Sequence, residues 1–250
     1  NMYVSTFNDV STSYFHKSIG GYHGAKMKRY QEMIEQNISP EMQQIGARFR
    51  SVKTQADLDS LNFAGLNSIN MLNTKYIIYN PEAEPIVNKQ ALGNAWFVDS
   101  YKMVANANEE ISAIKNTKVE TTAVIDRKFE KDLAGKTFHK DPQGKIELKS
   151  YAPNKLVYQS NSSNEQLAVF SEIYYPAGWV ATIDGKVSPY FRANYILRSL
   201  VVPAGSHEIV FEFKPKSYAI GNKVSFASSI LLILAIGGAI FLGYKKKKEA

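Results

Sequence analysis

A chain of 250 residues, 44% hydrophobic and 21% charged, is long enough for one large or two modest globular units with real cores, and it is neither disordered nor collagen-like. The absence of cysteine removes disulfides, thiolate nucleophiles and Cys-ligated metal sites. Of the formal net charge of +7, the last six residues, KKKKEA, carry +3, so the basic balance is in good part a terminal feature and gives little support to nucleic-acid binding.

In chain order, the first notable stretch is SYFHKSIGGYHGAKMKRYQ at 13–31, which holds two histidines, four cations, three tyrosines and a Gly-Gly pair. Gly24 to Asn37 reads as a helix, with Met27, Tyr30 and Ile34 spaced for one face. Gly20 and Gly21 just ahead of it would let backbone N–H groups turn toward an anion at a helix N-terminus. On that helix Tyr22, Lys26 and Arg29 would share a face, and His16, Lys17 and His23 flank the same point. Together they suit a phosphate-bearing ligand, with tyrosines to stack on a sugar. The competing reading is a solvated basic helix whose lysines meet anionic lipid headgroups while Tyr14, Phe15 and Tyr22 pack locally.

Pro40 to Arg50 resembles a second helix, opened by Ser39 as cap and Pro40 at its first position. Asn73 to Tyr79 reads as a buried strand, Ala95 to Val98 and Ala123 to Ile125 as shorter ones, and Asn106 to Asn116 as a helix with Glu109 and Glu110 near its start. From about Asp141 to Lys214 short runs of period two alternate with turn residues. HEIVFEFK is the clearest, with Ile209, Phe211 and Phe213 on one face. Asp184-Gly185 signals a type I′ hairpin, and Pro203-Ala204-Gly205 punctuates another. The fold class expected is α+β: a mixed α/β region over 1–140, an antiparallel β-sandwich over 141–221, one transmembrane helix over 224–244 and a basic cytoplasmic tail over 245–250.

The apolar run Val224 to Tyr244 holds 21 residues without a charge. At about 1.5 Å per residue it reaches about 31 Å, one bilayer crossing. Lys245 to Lys248 beside it mark the cytoplasmic side, opposed in part by Lys214, Lys216 and Lys223 on the other flank. Within the span Ala235, Gly237, Gly238 and Ala239 offer a small-residue face to another helix. A start at Asn1 without an export signal fits the C-terminal piece of a longer membrane protein.

Chemistry-bearing motifs are sparse. No Walker loop, GxSxG, HExxH or dinucleotide fingerprint occurs, no carboxylate pair stands out among Asp99, Glu109, Glu110 and Asp126, and the four histidines suggest no metal set. Trp179 after a Pro-Ala-Gly turn reads as sandwich core or as a sugar-stacking platform. Asn37-Ile38-Ser39 and Asn161-Ser162-Ser163 match the glycosylation sequon, a pattern too frequent by chance to carry weight.

Four stretches in order, SYFHKSIGGYHGAKMKRYQ (13–31), LNSINMLNTKYIIYNP (66–81), LGNAWFVDSYKMV (92–104) and YYPAGWVATIDGKVSPYFRANYILRSLVVPAGSHEIVFEFKPKSYAIG (174–221), resemble the C-terminal ectodomain of YfhO-family bacterial membrane proteins, the Bacteroidetes branch above all. The resemblance implies a polytopic protein similar to GT-C glycosyltransferases, which take a sugar from a polyprenyl-phosphate donor on the outer face of the membrane. Its partners would be the bilayer, a lipid-linked sugar and upstream helices of the same chain, with no nucleic acid and no cofactor evident. Residues 1–223 would lie outside the cytoplasm at the bacterial inner membrane, and this portion by itself would be inactive. The usual catalytic acid belongs to an early loop, so no catalytic residue carries over. In the expected mechanism Lys17, Lys26 and Arg29 neutralise the donor phosphate and His16 or His23 orients a hydroxyl. The alternative class is a non-enzymatic, membrane-anchored module whose sandwich binds glycan or protein.

Overall fold

In the computed structural model, residues 6–80, 82–133 and 135–249 are described. The chain is α+β. Short helices α1 (Ser11–Phe15) and α2 (Lys28–Met33) lead through a π-helical turn, Ile34–Ile38, into α3 (Ser39–Ser51) without a break. The helix expected from Gly24 therefore begins at Lys28, and Ser39 is helical rather than a cap. Pro40 has no N–H to give the preceding turn, and the wider π-turn absorbs that lost bond. Two small helices follow, α4 (Gln55–Asp59) and α5 (Asn67–Met71). Glu41 of α3 accepts the N–H groups of Ser68 and Ile69 at 2.9 Å each and so caps α5. Burial pushes that carboxyl up from its ordinary range.

The expected buried strand at Asn73 to Tyr79 shrinks to β1 (Tyr76–Ile77), paired with β2 (Ile86–Val87) at the surface, with Tyr76 and Ile78 exposed. Next come β3 (Ala95–Val98) and β4 (Ser100–Val104), then α6 (Ala107–Ile114), whose Asn106 cap accepts from the N–H groups of Asn108 and Glu109. β5 (Thr122–Asp126) runs parallel to β4. A 3-10 turn, Arg127–Phe129, and α7 (Glu130–Leu133) close this part.

The remaining strands are β6 (Lys145–Ala152), β7 (Lys155–Ser162), β8 (Gln166–Ile173), β9 (Trp179–Ile183), β10 (Lys186–Val187), β11 (Phe191–Ala193), β12 (Leu197–Val202) and β13 (Gly205–Phe213). They form two antiparallel sheets, ordered β10-β9-β13-β7-β6 and β11-β12-β8-β3. Between the sheets lie Leu156, Tyr158, Ala181, Ile209 and Phe211 from the first, and Phe97, Ala168, Phe170, Leu200 and Val202 from the second. The other face of the second sheet, with Trp96, Leu167, Val169 and Leu197, joins the core of Met33, Ile38, Ile111 and Ile114. Buried on both faces, β8 needs the unbroken apolar run LAVF instead of alternation, and each such side chain contributes about 1.5–3 kcal/mol. β3, although early in sequence, is a strand of this sheet.

Asp184 and Gly185 both have positive φ (50° and 77°), as the type I′ turn requires. A second such turn, which the sequence reading passed over, is Asn194-Tyr195 (48° and 70°). Asn194 docks it on β5: its N–H donates to Val124 O and its Oδ1 accepts from Val124 N–H, both at 2.8 Å.

After Phe213, only Lys214 and Pro215 precede α8 (Lys216–Glu249), one uninterrupted helix that takes in the apolar run and the lysine tail as far as Glu249. Ala250 of the tail lies outside the described residues. The stretch Lys216–Leu242 is long and apolar enough to cross a membrane, its most apolar 18 residues having a mean hydropathy of 2.3. Among the described residues its side chains are buried against nothing else, as lipid-facing residues would be.

Candidate functional site

Strand register defines two ends of the sandwich. β13 runs down to Phe213, opposite Trp179 of β9, with Glu212 opposite Lys155 of β7. Phe213 N–H donates to Asn154 O at 2.8 Å and Lys214 N–H to Gly178 O at 2.6 Å. The β6–β7 hairpin, the turn before β9 and the root of α8 therefore meet at one end, the base. Gly178 makes that meeting close: its φ is +111°, and a Cβ there would stand 2.8 Å from the Phe213 ring and 3.0 Å from Pro215. The Asp184-Gly185 hairpin, Ser163 and Asp141 lie at the opposite end.

Just inside the base is a corner of charged and aromatic groups. The Arg198 guanidinium, 3% exposed, lies 4.0 Å over the Trp179 ring and 5.2 Å from the Phe211 ring, and its Nε donates to Ile173 O at 3.1 Å. Its Nη1 and the fully buried Tyr158 hydroxyl have no hydrogen-bond partner among the described residues. Burial lowers the Arg198 pKa and raises that of Tyr158. Glu172 is also raised by burial, with Arg198 and Lys17 pulling against it. At the rim of this corner Tyr151, on the edge strand β6, carries the Lys17 ammonium 3.1 Å above its ring.

Of the sequence-predicted site residues, then, Lys17 reaches this corner, and exposed His16 precedes it. Gly20 and Gly21 do not form an open anion cradle at a helix start. Gly20 lies so close to Thr6 O that a Cβ would meet it at 2.0 Å, and Gly21 N–H donates to the same oxygen at 2.6 Å. Tyr22, Lys26 and Arg29 do not share a helix face, because the helix starts later. Tyr22 is exposed, His23 Nδ1 accepts from Ala25 N–H at 3.0 Å, and Lys26 Nζ donates to Phe7 O at 3.4 Å.

Arg29 turns inward. It lies 3.6 Å from the buried Glu110 carboxylate and 4.5 Å over the Tyr195 ring. Glu110 also accepts from Arg192 Nη2 at 2.8 Å and from Tyr195 N–H at 3.1 Å, and Arg192 reaches Asp126 at 3.3 Å. The Tyr195 hydroxyl donates to Glu32. Burial pushes Glu110 up despite these partners, and burial together with the nearby arginines lowers Lys128. This network ties α2, α6, β5 and the Asn194-Tyr195 turn together.

Sequence reasoning missed Tyr151, Glu172, Arg198 and Tyr158. The signal was present for two of them: Glu172 and Arg198 interrupt otherwise apolar strand runs, FSEI and YILRSL, where a buried charge demands a reason.

These features define a class: an α+β domain whose sandwich stands directly on one helix long and apolar enough to cross a membrane. Residues 129–225 match the family described as "Bacterial membrane protein YfhO". With the apolar helix, that match, over somewhat less than half of the chain, supports a membrane protein of the YfhO family. The matched span covers the sandwich from β6 onward and the root of α8, while the 13–31 stretch lies outside it. No curated protein and no solved structure matches the chain.

Proposed function

We propose that the chain is the extracytoplasmic module of a polytopic, GT-C-like glycosyltransferase of the bacterial inner membrane, with residues 1–223 outside and the tail in the cytoplasm. Its donor is a polyprenyl-phosphate-linked sugar and its acceptor an envelope glycopolymer or glycan. The family match over residues 129–225 supports the reading as a membrane protein of this kind. The observation that carries it is the position of Lys17 on Tyr151, in the strand row of Leu156 and Phe211, two residue steps from the end of β13 and so from the membrane helix. A lipid-linked phosphate presents itself at that height.

In transfer, the sugar C1–O bond to phosphate breaks and a bond from C1 to the acceptor oxygen forms, the hydroxyl proton passing to a base supplied by another part of the full-length protein. Lys17 neutralises the departing phosphate, Tyr151 offers a ring face to the sugar, and His16 orients a hydroxyl. Arg29 and Lys26 leave this scheme: Glu110 and Tyr195 hold the first, Phe7 O the second, and both fasten the 13–31 segment in place.

A second reading, a glycan-binding module without catalysis, is favoured by an open cleft of about 370 Å³ among Phe49, Lys53, Thr54, Gln55, Leu58 and Tyr79. There Phe49 and Tyr79 stack at 5.4 Å. In the full-length protein Lys17→Ala should lower sugar transfer from the lipid-linked donor about tenfold, the worth of one charged contact, at unchanged thermal stability. Unchanged transfer removes Lys17 from the site. A full-length protein without transferase activity that still binds oligosaccharide, and loses it on Tyr79→Ala, establishes the second reading instead.

A further inference from the structure

We infer that the base of the sandwich is a membrane-contact surface, seated on the phosphate-bearing headgroups of the leaflet through which α8 enters. The first support is length. Lys216 to Lys223, the polar lead of α8, holds eight residues. At about 1.5 Å each they rise about 12 Å, while a headgroup layer is roughly 6 Å thick on each side. With only Lys214 and Pro215 between β13 and the helix, the base cannot stand more than a few ångströms above the lipid surface.

The second support is composition. Tyr151, Tyr175 and Tyr218 expose 47%, 44% and 72% of their surface around the root of α8, which is the placement amphipathic rings take at a membrane interface. Lys155, in the hairpin beside the root, and Lys216, at the helix start, are exposed and make no ion pair among the described residues. Glu212, the acidic group of the last β13 pair, is occupied by Lys214 at 2.7 Å. Each lysine near an anionic lipid surface strengthens attachment about fivefold. The opposite end exposes Lys145 and Lys186 as well, but its Asp184 is engaged by His207 at 2.7 Å, and among the described residues Val187 is the large apolar side chain exposed there, with no exposed tyrosine beside it. This seat fixes which side of the ectodomain faces lipid, and it holds whether or not the protein transfers sugar.

The chain has no cysteine, so single labels are clean. Ala177→Cys at the base and Lys186→Cys at the opposite end, each with a fluorophore, would be reconstituted in phosphatidylglycerol–phosphatidylcholine vesicles carrying a headgroup nitroxide quencher. The label at Ala177 should be strongly quenched and the one at Lys186 hardly at all. Lys155→Glu with Lys216→Glu, or purely zwitterionic vesicles, should reduce quenching at Ala177. Equal quenching at both labels overturns the seat. So does quenching at Ala177 that ignores both lipid charge and the glutamate variants, which would mean that the tether alone, or a second protein surface, holds the base.

Discussion

The two ends of the β-sandwich are finished by opposite means. At the end far from α8, Asp141 accepts the Ser163 N–H and hydroxyl at 2.7 Å each and the Gln143 N–H at 2.8 Å, and His207 bridges Asp184 and Ala204 O. At the base a buried guanidinium is held by two aromatic faces and one carbonyl, with one nitrogen and a neighbouring tyrosine hydroxyl unbonded among the described residues. A saturated end is a device for stability. An end that keeps polar atoms buried and unbonded carries a free-energy cost that folding alone does not require, and here it is the end beside the membrane helix.

The comparison breaks most visibly at Arg198. Arg198→Ala removes the stacking on Trp179 and Phe211 and leaves the half-buried Glu172 without its main countercharge, so it should cost about 3 kcal/mol in denaturant unfolding of the whole chain in detergent. Arg198→Met keeps most of the packing volume, and since Nη1 is unbonded it should cost about half as much. Equal losses would mean that pairing with Glu172, rather than packing, makes the base stable.

A smaller effect should appear at the far end, in acid. Its hydrogen bonds hold the Asp141 carboxyl down at about 2, whereas an unfolded aspartate titrates near 3.9. A depressed native pKa means stability that is complete above pH ~4 and drains away as pH falls toward ~2. Asp141→Asn should flatten that limb of the stability–pH curve and destabilise the neutral protein less than Arg198→Ala does. A wild-type curve already flat across this window would contradict the saturated description of that end.

How legible these ends were from sequence depended on the range of the interactions. The sandwich strands and the Asp184-Gly185 turn were legible because period two and positive-φ turn residues are local signals. The apolar helix was legible for the same reason. The start of α2 was not: Gly20 and Gly21 look like a helix entrance, and what claims them is Thr6, a contact that no spacing rule encodes. Arg29 was misread as outward because its acid, Glu110, lies 81 positions further along the chain, and Arg192 enters the same network from 163 positions away. The partner that gives Lys17 its location, Tyr151, comes from a strand that the period-two pattern marked only as part of the sandwich. NTKYIIY failed because apolar content alone does not say whether a run finds a sheet to join, and this one meets only β2.

The finest test of the contrast is one oxygen atom. The Tyr158 side chain is fully buried, its ring packs edge-on against Phe170 at 4.9 Å and Phe211 at 6.2 Å, and its hydroxyl has no partner among the described residues. Tyr158→Phe keeps those ring contacts and deletes the unbonded group, so stability should stay within about 1 kcal/mol of the parent and on the more stable side. At the far end the same logic reverses. Ser163→Ala deletes a hydroxyl that Asp141 uses, and it should destabilise. If Tyr158→Phe proves clearly destabilising, the hydroxyl is bonded in the folded protein, the base is saturated too, and the asymmetry between the ends disappears.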